Sequence, residues 1–88
     1  MPEFLIELHL PRQASSLLAA ARAREGAEQL TREGTPVRHL NTIFIPDDEV
    51  CFHIYEAVSV EAVTEAARRA RIAFERVLSA VTESPSAS

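Results

Sequence analysis

The sequence predicts an α+β fold in which four strands and two helices follow the order βαββαβ. Three observations support this prediction: an alternating apolar segment near the N-terminus, a strand–turn–strand unit in the middle, and two Ala-rich segments with helical spacing. The 88 residues are 47% hydrophobic and 25% charged, which is typical of a globular domain. We therefore expect one two-layer domain over residues 1–81 and a disordered polar tail over residues 82–88.

The first strand and the first helix are predicted in the N-terminal third of the chain. Residues 3–10 alternate in character and end at Pro11, which is typical of a strand. Its apolar face contains Phe4, Ile6, Leu8 and Leu10. Residues 13–33 are rich in good helix formers, although Gly26 weakens such a helix by about 1 kcal/mol relative to Ala. Gly34 predicts the end of this helix.

A β-hairpin is predicted in the middle of the chain. Residues 37–45 form its first strand, residues 46–49 (PDDE) have the composition of a turn, and residues 49–57 (EVCFHIYEA) form the returning strand. The sequence does not assign the faces of the first hairpin strand, because a shift of one residue moves every side chain to the other face. Depending on turn length, the side facing away from the helices receives Leu40, Thr42 and Phe44, or else His39, Asn41 and Ile43.

The second helix begins after Ser59, a good N-cap, and Glu61 lies in its first turn, where the helix dipole favours an acidic residue. Its apolar stripe consists of Val63, Ala66, Ala67 and Ala70. Residues 72–81 then supply a fourth strand. This order is the ferredoxin-like pattern, in which two helices cover one face of an antiparallel sheet and the first and third strands are central.

The returning hairpin strand carries two kinds of side chain on its two faces. One face is apolar and contains Val50, Phe52 and Ile54. The other face carries a thiol, an imidazole and a phenol, from Cys51, His53 and Tyr55. We expect the apolar face to pack against the helices together with the apolar face of the first strand. The thiol, imidazole and phenol would then lie on the opposite side of the sheet, beside Glu7 and His9 of the first strand.

A sheet face of such mixed character seldom remains in contact with water. Two copies packed face to face would cover it, and their two-fold axis would bring the polar groups of both copies into one cavity. We therefore predict a face-to-face homodimer that binds a metal ion or a small molecule in the cavity between the sheets.

Residues 37–77 resemble a known family. The segment VRHLNTIFIPDDEVCFHIYEAVSVEAVTEAARRARIAFERV contains a hydrophobic strand, a PxDE turn, a CF pair, an EA pair and a capped Ala-rich helix followed by ERV. It is similar to the small actinobacterial proteins described as nickel-binding, ferredoxin-like domains of otherwise unknown function, over about residues 3–80. Many members have Cys where this chain has His53, and Gly where it has Arg71. The resemblance implies a homodimer with facing sheets and a role in binding nickel.

The predicted metal ligands are His9, Cys51 and His53. Cys51 and His53 are about 6.5–7 Å apart along one strand face, and His9 on the neighbouring strand would supply a third donor. Imidazole and thiolate suit nickel, zinc or copper, and the resemblance favours nickel. Glu7 and Tyr55 are predicted to support this site as neighbouring hydrogen-bonding groups.

Two other classes of function stay open. A cofactor-free enzyme for small organic molecules, such as a cyclase, isomerase or oxygenase, would use Glu7 or a histidine as general acid–base in the dimer cavity. A ligand-free interaction module is the third class. The net charge of −4 argues against nucleic-acid and anionic-membrane partners. The N-terminus has no basic segment typical of a signal peptide and no apolar run reaches membrane-spanning length, so we expect a cytoplasmic protein.

Overall fold

A computed structural model describes residues 1–81 and 83 and contains the six predicted elements. In chain order they are strand β1 (Glu3–His9), helix α1 (Ser16–Arg32), strand β2 (Val37–Ile45), strand β3 (Val50–Ala57), helix α2 (Val60–Arg69) and strand β4 (Arg76–Ala80). A 3-10 turn over Pro46–Asp48 joins β2 to β3. The predicted tail over residues 82–88 lies, apart from Glu83, outside the described residues.

The four strands form one antiparallel sheet in the order β2-β3-β1-β4, with β1 and β3 at its centre. Both helices pack on the face of the sheet that carries Phe4, Ile6 and Leu8. The predicted α+β, ferredoxin-like fold is therefore confirmed. Neither helix of the described chain is long and apolar enough to span a membrane.

Local hydrogen bonds fix the ends of both helices. The Ser15 hydroxyl accepts from the Leu18 backbone N–H at 3.1 Å, and the Ser59 hydroxyl accepts from Ala62 at 3.2 Å. Helix α1 therefore begins later than the sequence predicted, at the first residue after its cap. Its C-terminal turn is closed by Gly34, whose φ of +108° is one that glycine adopts without strain.

Helix α2 ends in the same kind of turn without a glycine. The backbone N–H of Arg71 donates to Arg68 and that of Ile72 donates to Ala67, which are the two bonds of a Schellman motif. Arg71 has a φ of 59°, in the left-handed region that favours glycine. This turn delays the last strand, so that β4 begins at Arg76, four residues later than predicted.

Gly26 lies in α1 where α2 approaches it closely. A Cβ atom at this position would be 2.6 Å from the Ala66 carbonyl oxygen and 3.0 Å from the Ala70 Cβ atom. The missing side chain therefore lets α2 approach α1 closely, and this contact offsets the lower helix propensity of glycine.

The predicted orientation of β3 is wrong. Cys51, His53 and Tyr55 have no exposed surface and face the helices. Their Cα partners on β1 are, in that order, Leu8, Ile6 and Phe4. The prediction assigned the more apolar face of β3 to the core. Hydrophobicity does not distinguish the two faces here, because Cys51, His53 and Tyr55 are polar only at the tips of their side chains. Cysteine is among the most buried residue types, and histidine and tyrosine bury ring atoms while a polar tip finds a partner.

The opposite face of the sheet, here called the open face, is mainly apolar. Its apolar side chains come from all four strands: Leu5, Ile43, Ile45, Val50, Phe52, Ile54 and Leu78. Three of them are substantially exposed, with relative exposures of 46% for Ile43 and 39% for both Ile45 and Leu78. Ion pairs flank this surface, between Arg76 and Glu7 and between Arg38 and Glu56.

Strand β2 contains one extra residue. Its register against β3 shifts between His39 and Asn41, so Leu40 has no partner in the ladder. Because of this bulge, His39 and Thr42 both face the helices although they are three residues apart, whereas Asn41 faces the open side. Asn41 and Ile43 therefore face the open side, as one of the two predicted patterns required, whereas His39 faces the helices, as the other pattern required. The helix-side set is Val37, His39, Thr42 and Phe44.

Candidate functional site

The five predicted site residues are divided between the two sides of the sheet. Cys51, His53 and Tyr55 lie beneath the helices, whereas Glu7 and His9 lie on the open side, where His9 is exposed at the end of β1. The predicted convergence of all five on one face is therefore wrong. The role of each residue as a metal ligand stays a prediction.

The predicted ligand set does not fit a nickel site within one chain. In residues 1–81 and 83, no group of three or more His, Cys, Asp or Glu side chains is placed to hold a metal ion. The reason is the register, because His9 is opposite Val50 on β3 and so faces away from the side that contains Cys51 and His53.

Glu7, the predicted general acid–base, is paired with a cation. Its Oε1 atom accepts from the Nε atom of Arg76 on the adjacent strand β4 at 2.7 Å. A guanidinium thus engages the carboxylate that the enzyme hypothesis requires to exchange protons with a substrate.

A hydrogen-bonded row of three side chains lies on the helix side where β2 and β3 pair. The Nε2 atom of His39 is 2.9 Å from the Thr42 hydroxyl, and that hydroxyl is 2.7 Å from the Nδ1 atom of His53. We call these three residues the His–Thr–His chain. The Tyr55 ring packs edge-on against the imidazoles, with centroid distances of 5.6 Å to His39 and 6.3 Å to His53.

Both imidazoles of the His–Thr–His chain are neutral at pH 7. Burial lowers the pKa of His53 to about 4, and the nearby His39 lowers it further. Burial also lowers the pKa of His39, as does the positive charge of Arg24. Each ring therefore carries one N–H and one bare nitrogen.

The hydrogen bonds couple the positions of these protons. The Thr42 hydroxyl has one hydrogen, so it donates to one imidazole and accepts from the other. If it donates to Nε2 of His39, it accepts from Nδ1–H of His53, and His53 Nε2 then has no proton. In the opposite arrangement, Nε2 of His39 and Nε2 of His53 both carry the proton.

Two buried polar atoms beside this chain have no hydrogen-bond partner among the described residues: His53 Nε2 and the Tyr55 hydroxyl oxygen. Burial raises the pKa of the Tyr55 hydroxyl, with a second contribution from Cys51, so the phenol is neutral. Burial likewise raises the pKa of the Cys51 thiol. Cys51 is therefore protonated at neutral pH, the form that binds metals weakly.

A cavity of about 190 Å³ lies on the helix side, between the end of β1, helix α1 and the connection from α2 to β4. His53 lines it, as do two arginines, Arg22 of α1 and Arg71 after α2. Sequence patterns gave no signal for Arg22, which belongs to the charged surface of α1. For Arg71, the signal was the glycine that many members of the similar family have at that position. For Thr42, the signal was the four-residue turn, because that length places Thr42 beside His53.

Comparison with known proteins agrees with the resemblance described above. A family model described as nickel responsive protein SCO4226-like matches residues 4–79. The crystal structure of SCO4226 from Streptomyces coelicolor A3(2) aligns with a TM-score of 0.71 and 16% identity, covering 93% of this chain and 99% of that one. This likeness shows a common fold. A search of curated proteins found no match. The extent of the family match shows that the chain belongs to the nickel responsive protein SCO4226-like family.

Proposed function

We propose that this protein is a small cytoplasmic homodimer that binds nickel. The description of its family as nickel responsive supports the choice of metal. The main observation behind the proposal is that the open face is apolar. A second copy that packs on the sheet would cover these apolar side chains.

The open face has the properties of a subunit interface. Monomeric proteins seldom leave a contiguous apolar surface across a whole sheet, and larger patches of this kind mark interaction sites. Each of the two ion pairs beside it has no net charge. A two-fold related copy would therefore not be repelled by them, and neither pair needs a charged partner from that copy. A second sheet of the same shape packs at about 10 Å. These features favour another copy of this chain as the occupant.

We propose His9 as the first nickel ligand. It is the exposed member of the predicted set, whereas Cys51 and His53 are fully buried and Cys51 is a neutral thiol. A shallow depression of about 200 Å³ is lined by His9 and by four acidic residues, Glu7, Asp48, Glu49 and Glu75. Of these, Glu7 accepts from Arg76 and Glu49 accepts from the Arg12 backbone N–H. Imidazole and carboxylate oxygens are both ligands for divalent transition metals. Because one chain lacks a three-donor group, further ligands would come from a second copy.

The test is a calorimetric titration of untagged, metal-free protein with nickel chloride. We expect His9→Ala to lower the affinity about tenfold or more, because it removes an imidazole ligand. Cys51→Ala and His53→Ala should have smaller effects, since both side chains are fully buried on the other side of the sheet from His9. Glu61→Gln, an exposed carboxylate on α2, is the matched control and should bind like the parent.

Three results would contradict this proposal in different ways. Binding of less than about one tenth of an equivalent per chain would remove nickel as a ligand. Unchanged affinity in His9→Ala would remove His9 from the site. A large loss of affinity in a folded Cys51→Ala protein would instead assign the site to the buried side of the sheet.

A further inference from the structure

We propose that the helix-side cavity binds small hydroxylated carboxylic acids, with the hydroxyl group at His53 and the carboxylate at Arg22 and Arg71. The lining of this cavity also includes His9, the residue proposed above as a nickel ligand, so the tests below use metal-free protein.

The buried end of the cavity is lined by a histidine that has an unpartnered nitrogen. His53 has no exposed surface and lines the cavity, and its Nε2 atom has no partner in the described chain. In the proposed site, Nδ1 of His53 carries the proton and donates to the Thr42 hydroxyl, so that Nε2 keeps its lone pair. A buried polar atom without a partner is unfavourable, and a ligand hydroxyl would satisfy it.

The outer end of the cavity presents two unpaired cations. Arg22 and Arg71 are exposed, and neither side chain makes a hydrogen bond or ion pair with the described residues. Five other arginines do form such pairs, namely Arg12, Arg38, Arg68, Arg69 and Arg76. Guanidinium groups without a protein carboxylate favour an anionic ligand that they can bind through two hydrogen bonds.

The backbone of Arg71 gives a second reason to assign it a function. It closes α2 with the same hydrogen-bond pattern by which Gly34 closes α1, at a φ of 59° that disfavours a side chain. The chain thus has an arginine where glycine would be unstrained. Residues in strained conformations cluster at binding sites.

The size and walls of the cavity define the body of the ligand. The walls between its two ends are mainly apolar and include Leu8, Leu10, Ala19 and Ile72. Its volume of about 190 Å³ exceeds slightly that of a cavity of about 150 Å³ that holds benzene. Because His53 is fully buried whereas Arg22 and Arg71 are exposed, we assign the histidine to the inner end of this space and the arginines to its outer end. We therefore infer a ligand with one small ring or a short carbon chain, hydroxylated at one end and carboxylated at the other.

The test uses 4-hydroxybenzoate as the probe, with metal-free protein and calorimetric titration. Benzoate lacks the donor for His53, and 4-methoxybenzoate blocks it, so each should bind about tenfold more weakly than 4-hydroxybenzoate. Phenol lacks the carboxylate and should also bind more weakly. Equal affinity for benzoate and 4-hydroxybenzoate would overturn the assignment of His53. Lack of binding of 4-hydroxybenzoate at millimolar concentration would overturn the ligand class.

Substitution of Arg71 separates binding from structure. Arg71→Gly should raise the temperature of thermal unfolding, because it relieves the backbone, and should weaken probe binding about three- to tenfold. Arg22→Gln should weaken binding by a similar factor. Arg32→Gln, with the same charge change on the same helix but outside the cavity, should bind like the parent. Equal affinities in all three variants would overturn the carboxylate site.

Nitrogen NMR of the imidazoles tests the buried end without a substitution. We expect His53 Nε2 to be unprotonated in the free protein and its ¹⁵N resonance to move when 4-hydroxybenzoate is added. A proton on Nε2 in the free protein, or an unchanged resonance at saturation, would overturn the proposal.

Discussion

At the scale of single residues, His53 links protonation to stability. Its pKa is about 4 in the folded protein, mainly because burial disfavours the charged form, and near 6.5 in an unfolded chain. Between these values only the unfolded chain takes up the proton. Burial of neutral His53 therefore does not reduce the free energy of unfolding above about pH 6.5. As the pH falls from there towards 4, the free energy of unfolding decreases by at most about 3 kcal/mol.

Denaturant unfolding at several pH values between about 7.5 and 4.5 measures this effect. The parent protein should lose stability across this range, and His53→Gln, which cannot titrate, should lose less. Of the ionisable groups beside His53, the pKa of His39 is lowered as well, so part of the slope remains in the variant. Cys51 and Tyr55 keep their protons throughout, because burial raises the pKa of each. Identical slopes in the two proteins would show that His53 is not responsible.

At the scale of secondary-structure elements, the contact between α1 and α2 depends on Gly26. Alanine is the better helix former by about 1 kcal/mol, but its Cβ atom would overlap the Ala66 carbonyl oxygen. That oxygen belongs to the backbone of α2, so relief requires the helices to separate. We expect Gly26→Ala to lower the free energy of unfolding by about 1–3 kcal/mol.

The matched control for this substitution is Glu25→Ala, at the neighbouring exposed position of the same helix. It should change the free energy of unfolding by less than about 0.5 kcal/mol. Chemical denaturation of both variants measures the difference. A Gly26→Ala protein as stable as the parent would show that the helices separate at little cost.

Some features of the secondary-structure elements were predicted correctly from the sequence and others were not. The order of the elements, the Ser59 cap and the glycine that ends α1 were predicted correctly because each depends on a few neighbouring residues. The faces of β3 were not, because they depend on how Ile6 of β1 pairs with His53, far apart in sequence. The predicted convergence of the site residues on one face was wrong for this reason. Its residues were placed together on a face that only cross-strand register determines.

The bulge at Leu40 could not be predicted from the sequence either. Nothing in residues 37–45 departs from an ordinary strand, and an extra residue leaves the composition unchanged. The position of His39 beside His53 follows from this bulge, so the His–Thr–His chain was missed, although His39, Thr42 and His53 had each been considered.

At the scale of the whole molecule, the open face predicts association. Ile43→Asp places a carboxylate in the middle of this apolar surface, where a second sheet would remove it from water without a partner. Light scattering at micromolar concentration should give about twice the chain mass for the parent and a single chain mass for the variant. Ile43 is 46% exposed, so the fold of the single chain should tolerate the change.

Leu17→Asp is the control, since Leu17 is 84% exposed on α1 and away from the open face. It should leave the dimer intact. A monomeric parent protein would contradict the interface, and so would a dimer that persists in Ile43→Asp. Tyr55, which sequence analysis placed on this surface, is unsuitable as a probe because its substitution would disrupt the core.

The bulge in β2 also couples the tautomers of two histidines on neighbouring strands. In a regular strand, two residues three apart point in opposite directions, so if residues 37–45 paired without a bulge, His39 would face the open side, away from Thr42. The Thr42 hydroxyl would then meet one imidazole and could either donate to His53 Nδ1 or accept from it. With His39 in place, the single hydrogen of Thr42 goes to one ring and its lone pair to the other, so a proton on Nδ1 of His53 requires an unprotonated Nε2 on His39. One irregular position in a strand thereby makes two imidazole rings change tautomer together.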